Sequence, residues 1–477
     1  MAILCTHSMP TENCEHRAYS DAHRSSLLIL LCVSIIIAVA ISPDTLYAEA
    51  FRIPTQGASA TGQAGAFVAQ ADDPSAIHYN PAGMTQLRGV QFYGGTNLFG
   101  GSVSYKGPGG VASHGDLGGS VAIPPPSNLY ITAKLRDFGL RALGETTVGL
   151  GVTTPFGLNV RYANDAPFST AVTRAQLPLI DIKPTVAFKL TDDVSIGIGA
   201  DIYTFASFIG QGKFEQHFNN PGIPGIPPGT PLEVNGNDTA AGFNVSLFYT
   251  PLRNHEGKPL VNIGLVYRSQ ATLHLNGEFR ANGALVANSA ATAVLPQIFS
   301  GGIAVWPIRN PTREWKLELD VDYAGWKSFR NLDVHLSNGA TLPFPENWRN
   351  SFLVALGTEH RWLQVPQLAD WEVAVRGGYA RSQSPIPDAT FSPAVPESDY
   401  NVVAVGLGML CKKSATFLGL IPCGRVGKEG RGAIGLDMAY QAVLYESRTI
   451  AGNINPTVNG TYRTLIHIGS INVRVNF

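Results

Sequence analysis

The chain has 477 residues, 34 basic and 35 acidic, with a formal net charge of -1. That balance carries no electrostatic footprint for nucleic acid, and a charged content of 14% falls well below the ~25% of soluble domains. A mean hydropathy of +0.06 is oily for a soluble protein and too mild for a bundle of membrane helices.

The N-terminus reads as an export signal. Arg24 precedes an apolar run over 27–41, and small residues follow up to Ala48. This is the basic, apolar and small-residue order of a signal peptide. Cleavage is predicted after Ala48, with Ala50 as the second choice. The run is short for a membrane span of ~20 residues, which weighs against a signal anchor. Residues 1–48 are therefore set aside as leader, with Met9 an alternative start. Cys5, Cys14 and Cys32 lie in it, and bulky Leu31 before Cys32 argues against a lipoprotein. The processed chain keeps only Cys411 and Cys423. In an oxidising compartment these are expected to pair, the alternative being two free thiols.

Residues 71–84 (ADDPSAIHYNPAGM) hold two Asp, two Pro and an Asn-Pro step. Pro removes a backbone donor and fixes φ, so this is a poor strand. It is followed by period-two alternation to the terminal Phe477. Trp315, Leu317, Leu319, Val321 and Tyr323 alternate with Lys316, Glu318, Asp320 and Asp322. The last strand alternates Leu465, His467, Ile471, Val473 and Phe477 with Ser470, Asn472, Arg474 and Asn476. Such strands fit a sandwich that buries the apolar face or a membrane barrel that turns it to lipid. Long strands favour the barrel, as do Tyr267, Trp306, Trp315, Trp326, Trp362, Trp371 and Tyr379 near strand ends. So does the alternation of short and long connections.

The fold class is accordingly an all-β, transmembrane antiparallel barrel of about fourteen strands, with an N-terminal plug in its lumen. Strands are predicted to begin near 89, 128, 146, 177, 194, 238, 260, 294, 314, 349, 370, 399, 432 and 461. The plug spans 49–88 and the barrel 89–477. Short turns face the periplasm and long loops face outward in such barrels, and strand parity puts both ends of the processed chain in the periplasm. The connection 411–431 is long for its side and holds both cysteines. The loop 219–231, rich in Pro and Gly, could cap the barrel or have no role.

Several segments, in order, carry a resemblance: 49–57 (EAFRIPTQG), 62–83 (GQAGAFVAQADDPSAIHYNPAG), 154–157 (TPFG), 322–329 (DYAGWKSF), 376–388 (RGGYARSQSPIPD) and 395–399 (VPESD). Together they resemble the FadL family of outer-membrane transporters for long-chain fatty acids and other hydrophobic compounds, over essentially all of 49–477. The polar leader and the Cys411/Cys423 turn depart from the family pattern. The resemblance implies a monomeric channel, passive uptake, a hatch in the lumen and lateral release into the membrane. It implies a hydrophobic small-molecule ligand, an outer membrane with lipopolysaccharide, and no cofactor or metal. Aromatic or alkane hydrocarbons are the alternative ligands, and a general diffusion porin is the more distant one.

Within that frame Asn80, Pro81, Ala82 and Gly83 are candidate gate residues, against the reading of a simple Asn-Pro turn. Lys134, Arg136, Lys183, Arg268, Glu318, Asp320, Asp322, Arg376 and Arg474 are assigned to the lumen face. Of the cations, Arg268, Arg376 and Arg381 are candidate partners for a substrate carboxylate, against the reading of a neutralised network. Phe477 resembles the signal read by the outer-membrane barrel assembly machinery. No Gly-x-Ser-x-Gly motif, phosphate-binding glycine loop or Cys/His metal spacing occurs, so an enzyme is not expected.

Overall fold

A computed structural model describes residues 49–118, 127–140, 143–205, 212–366, 368, 370–413, 415–425 and 432–477. The leader and its cleavage site lie outside the described residues. Fourteen antiparallel strands close into one ring. They are β1 Val90–Lys106, β2 Ser127–Lys134, β3 Thr146–Thr153, β4 Arg174–Lys189, β5 Val194–Phe205, β6 Ala240–Arg253 and β7 Pro259–Arg268. β8 Ile298–Arg309, β9 Arg313–Ala324, β10 Ser351–Trp362, β11 Trp371–Ser382, β12 Tyr400–Lys412, β13 Ala433–Tyr445 and β14 Gly460–Asn476 complete it. Each strand pairs with the next, and β1 closes the ring on β14 from Gln91↔Asn476 to Lys106↔Thr461. Closure leaves no edge, the condition for spanning lipid with strands. Every strand begins within four residues of its predicted start.

The alternation sets which face is wet. On β12, Val403 and Val405 are 50% and 56% exposed while Val402 and Ala404 are 3%. The exposed set is apolar, as lipid demands. Near one rim Phe243, Tyr267, Phe299, Tyr323 and Phe352 form a continuous outer belt, with successive ring centroids 4.7 to 6.1 Å apart. Trp315, Trp362 and Tyr379 are also exposed. Trp306 and Trp326 are not girdle residues: both are buried, Trp306 beneath the Arg309 guanidinium and Trp326 in an interior aromatic cluster.

Short connections gather at one rim, the turn end, and long ones at the other, the loop end, except that the long connection between Lys412 and Ala433 lies at the turn end. The loop end holds regular structure of its own between the predicted strand starts near 260 and 294. Ala271–Ala281 and Ala284–Leu295 form a hairpin there. Its Asn282-Gly283 turn has φ of 48° and 79°, the left-handed pair that favours Asn-Gly.

Residues 49–88 contribute no ring strand. They form two one-turn helices, Ala58–Thr61 and Ala76–Tyr79, and a 3₁₀ segment, Pro81–Gln86. They bond to inward-facing groups on widely separated strands: Tyr130 of β2, Ser195 of β5, Ser246 of β6, Asp320 of β9 and Asn472 of β14. The segment starts at the loop end, where Ile53 N–H donates to Pro155 O, and finishes at the turn end, where Gly89 N–H donates to Asp137. This corrects the parity argument. Glu49 and Phe477 lie at opposite rims, because the first forty described residues run the length of the lumen before β1 begins. Among the described residues no helix is long and apolar enough to cross a membrane.

Candidate functional site

Backbone approach decides how residues 49–88 fit their enclosure. A Cβ on Gly264 of β7 would lie 2.3 Å from Val68 O, and one on Gly378 of β11 would lie 2.2 Å from the Gln63 carbonyl carbon. Side chains at these inward positions would collide with the enclosed chain. Hydrogen bonds then fix its register. Asp320 Oδ2 accepts from Phe67 and Val68 N–H at 2.6 and 2.8 Å, and Glu318 Oε1 accepts from Ala69 and Gln70 N–H at 2.6 and 3.0 Å. Two adjacent inward carboxylates of β9 thus hold four consecutive amides. Carboxylate–amide bonds are the stronger kind.

Asn80, Pro81, Ala82 and Gly83 lie against β5 and β6. Asn80 Nδ2 donates to Val68 O at 2.9 Å and to Leu247 O at 3.1 Å. Its Oδ1 accepts from Ala82 N–H, capping the 3₁₀ turn in which Pro81 holds the first position. Ala82 N–H also donates to Ser246 Oγ. A Cβ on Gly83 would sit 2.5 Å from the Ala71 Cβ.

The candidate carboxylate partners are already partnered. Arg268 Nε pairs with Asp201 at 3.3 Å while its Nη2 donates to His78 O at 3.0 Å. Lys183 pairs with Asp181 and Asp201 beside it. Arg376 bridges Glu359 and Asp437, both at 2.7 Å. Neither arginine presents a bare cation to the lumen, so the neutralised network describes these positions. Arg381 pairs with Glu446 and is half-exposed. Arg474 and Arg361 instead reach residues 49–88, pairing with Asp73 at 3.3 Å and Asp72 at 3.2 Å. Lys134 and Arg136 share Glu145 at the turn end, and Arg136 is largely exposed rather than luminal. Cys411 and Cys423 are joined as a disulfide. Phe477 is half-exposed and its N–H donates to Val90 O, on the first ring strand.

Two apolar cavities lie toward the loop end. The first, about 550 Å³, is lined by Phe51, Ile53, Leu177, Val402, Val443 and Ile468 among others, with Arg52 and Glu397 as charged groups. The second, about 390 Å³, lies under the loops, with Leu273, Phe344, Trp348 and Phe391 in its lining. Pro221 and Ile223 of the Pro/Gly-rich loop also line it. Phe51 lines both. Its ring stands edge-on to Trp326 at 4.8 Å and to Phe156 at 6.1 Å, with Trp348 at 5.6 Å. Arg52 pairs with Glu49 and Asp322, each at 2.6 Å. Segments 49–57, 154–157, 322–329 and 395–399 are distant in sequence, yet they meet here around one phenyl ring. Phe51, Arg52 and Glu397 went unassigned in the sequence. The convergence of those segments was the available signal.

Glu397 Oε1 accepts from Ala50 N–H at 2.7 Å. Burial pushes its carboxyl up to about 8 from 4.5, the Ala50 bond working against that. The folded state therefore holds a proton that the unfolded chain releases above about 4.5. The resulting stability is complete below that pH and is lost as pH rises through about 8. Protection of the residue 50–53 amides, taken relative to intrinsic exchange at each pH, is expected to fall over that interval. Glu397→Gln, which stays neutral, should flatten the dependence.

Beside the first cavity, pairing among the described residues is broken. Among the described residues the β2–β3 ladder ends at Leu129↔Val152, and the next described pair beyond it is Asp116↔Arg161. Thr154, Pro155 and Phe156 take no part in the β3–β4 ladder, and Phe156 turns inward. Leu117, Ser127, Val152 and Thr154 border both seam and cavity.

Comparisons with known proteins agree with this architecture. A long-chain fatty acid transport protein of Escherichia coli O6:H1 is 23% identical over 416 residues, covering 78% of this chain and 85% of its own. The crystal structure of a Pseudomonas aeruginosa FadL homologue superposes with a TM-score of 0.68 at 16% identity, covering 90% of this chain and all of that one. That of the Ralstonia pickettii toluene transporter TbuX gives 0.55 at 14% identity, covering 87% and 97%. The family model for outer membrane protein transport proteins (OMPP1/FadL/TodX) matches residues 39–417, and with the closed fourteen-stranded ring it establishes that the chain belongs to that family.

Proposed function

We propose that the chain is a passive outer-membrane uptake channel for long-chain fatty acids, with residues 49–88 as its plug. The observation that carries this reading is the pair of apolar cavities meeting at Phe51. Burying an acyl chain gains about 0.8 kcal/mol per CH₂, and the first cavity lies within the ~300–1,000 Å³ range of ligand sites. Ligand enters the outer cavity, passes Phe51 and occupies the inner one. It leaves sideways at the seam between β2 and β3, where the described pairing breaks, beneath the lipopolysaccharide layer. Movement around Asn80, Pro81, Ala82 and Gly83 accompanies release. The long loops face outward and the short turns face the periplasm, and the alternation of connection lengths supports that orientation. Phe477 serves as the signal for the barrel assembly machinery, and the working unit is a monomer.

A second reading, uptake of aromatic or alkane hydrocarbons, is favoured by Arg52. It is a cation lining the first cavity, and two carboxylates already occupy it. Equilibrium binding of radiolabelled oleate and of toluene to the purified chain separates the readings. Saturable oleate binding that toluene does not displace supports the first. Saturable toluene binding with no oleate binding supports the second, and no saturable binding of either overturns both.

A further inference from the structure

The connection between β12 and β13 is unlike its short neighbours at the turn end, and uptake makes no use of it. Trp371, Cys411 and Ile434 stand in register across β11, β12 and β13. They share their face with Val375, Val405 and Tyr440, which are 47%, 56% and 47% exposed on the lipid side. Cys411 therefore points outward. Its disulfide to Cys423 folds the turn back over the outer wall instead of across the barrel mouth. Phe417 stacks on Trp371, with centroids 6.3 Å apart and an interplanar angle of 25°. It packs with Cys411, Ile434 and Leu436, all on that outer face.

The folded-back segment is a small hairpin. Thr416–Phe417 pairs with Ile421–Pro422, and Cys423 N–H donates to Ala415 O at 2.9 Å. Its tip is aliphatic: Leu418, Leu420 and Ile421 are 75%, 81% and 48% exposed. Leu418 has φ of 51°, a conformation in which a bulky residue is rare. A turn facing water is served by Gly, Asn or Asp. Here Leu is held in their place beside two further aliphatic side chains. The tip continues an apolar band that already faces lipid.

We infer that this disulfide-closed hairpin is a lipid-docking element, its Leu418, Leu420 and Ile421 side chains seated in the membrane leaflet at the turn end. Only the naming of that leaflet as the periplasmic one rests on the orientation proposed above. The insertion itself is independent of transport, and so is its test.

The processed chain carrying Leu420→Cys is labelled with an environment-sensitive fluorophore and reconstituted in phospholipid nanodiscs. The native cysteines are occupied by their disulfide. Val403→Cys, on the lipid-facing wall, and Glu256→Cys, on a different turn, carry the same label. Heat-modifiable mobility verifies that each barrel is folded. Spin-labelled phospholipid is expected to quench the Leu420→Cys label at least half as strongly as the Val403→Cys label, and the Glu256→Cys label hardly at all. Quenching of Leu420→Cys no greater than that of Glu256→Cys overturns the proposal. Replacing Cys411 and Cys423 by Ser in the same background is expected to reduce the quenching, and quenching that survives would remove the part assigned to the disulfide.

Discussion

Deleting residues 49–86 from the processed chain is expected to convert a closed barrel into a conducting pore. The ring closes through its own ladders, including β1 on β14, so barrel closure does not draw on the deleted backbone. Where the deleted segment is held, much of what remains is polar: Lys183, Asp201, Arg268, Glu318, Asp320, Arg376 and Arg474 face the space it leaves. A channel with such a lining fills with water once the enclosed segment is gone. Planar-bilayer recordings should give long-lived, porin-like conductance for the deletion and closed traces for the full processed chain. A deletion variant that shows folded-barrel mobility on a gel yet does not conduct would contradict the role given to residues 49–88.

The second large effect is expected at Asp320. Its carboxylate accepts the amides of Phe67 and Val68, and Glu318 accepts those of Ala69 and Gln70. A buried hydrogen bond contributes about 0.5–1.5 kcal/mol, and each buried donor left unpaired adds about 1–3 kcal/mol of desolvation cost. Asp320→Ala should therefore loosen the enclosed segment by several kcal/mol. It is cleaner than Glu318→Ala, which would also strand the Lys316 ammonium that Glu318 holds at 2.5 Å. Hydrogen exchange is expected to rise sharply at residues 67–70 while the β9 and β10 amides keep their protection. Brief conductance openings should accompany it. Asp320→Asn, which keeps an acceptor, should recover part of the loss. Equal acceleration in segment and strands would mean that Asp320 stabilises the barrel as a whole.

Much of the barrel was legible because lipid and lumen impose opposite chemistry on alternate residues. The β9 run from Trp315 to Tyr323 announces its two faces without any neighbour. Strand starts were equally readable, since turn residues interrupt that alternation. The loop-end hairpin around Asn282-Gly283 was missed, although the dipeptide is itself a hairpin signal. The second of its flanking strands, Ala284–Leu295, is rich in Ala, Ser and Asn and carries a weak alternation. Trp306 and Trp326 misled in the other direction. A tryptophan near a strand end suits the membrane interface and an enclosed aromatic cluster alike, and only the fold distinguishes them. The arginines illustrate a further limit. Inward position was readable for Arg268 and Arg376, but their partners Asp201, Glu359 and Asp437 come from other strands. Whether a cation is free depends on those pairings, which no local pattern records. Phe51 escaped for the same reason: its importance comes from Phe156, Trp326 and Trp348, more than a hundred residues away in sequence.

Hydrophobic ligand is expected to reside inside this barrel, in the cavity bounded by Phe51. A diazirine-bearing fatty acid, photolysed on the chain in nanodiscs and mapped by mass spectrometry, tests it most directly. Adducts are expected on peptides containing residues 51–54, 176–180 and 441–445, suppressed by excess unlabelled oleate. Adducts confined to outward residues such as Val403 and Val405, and insensitive to competitor, would contradict it.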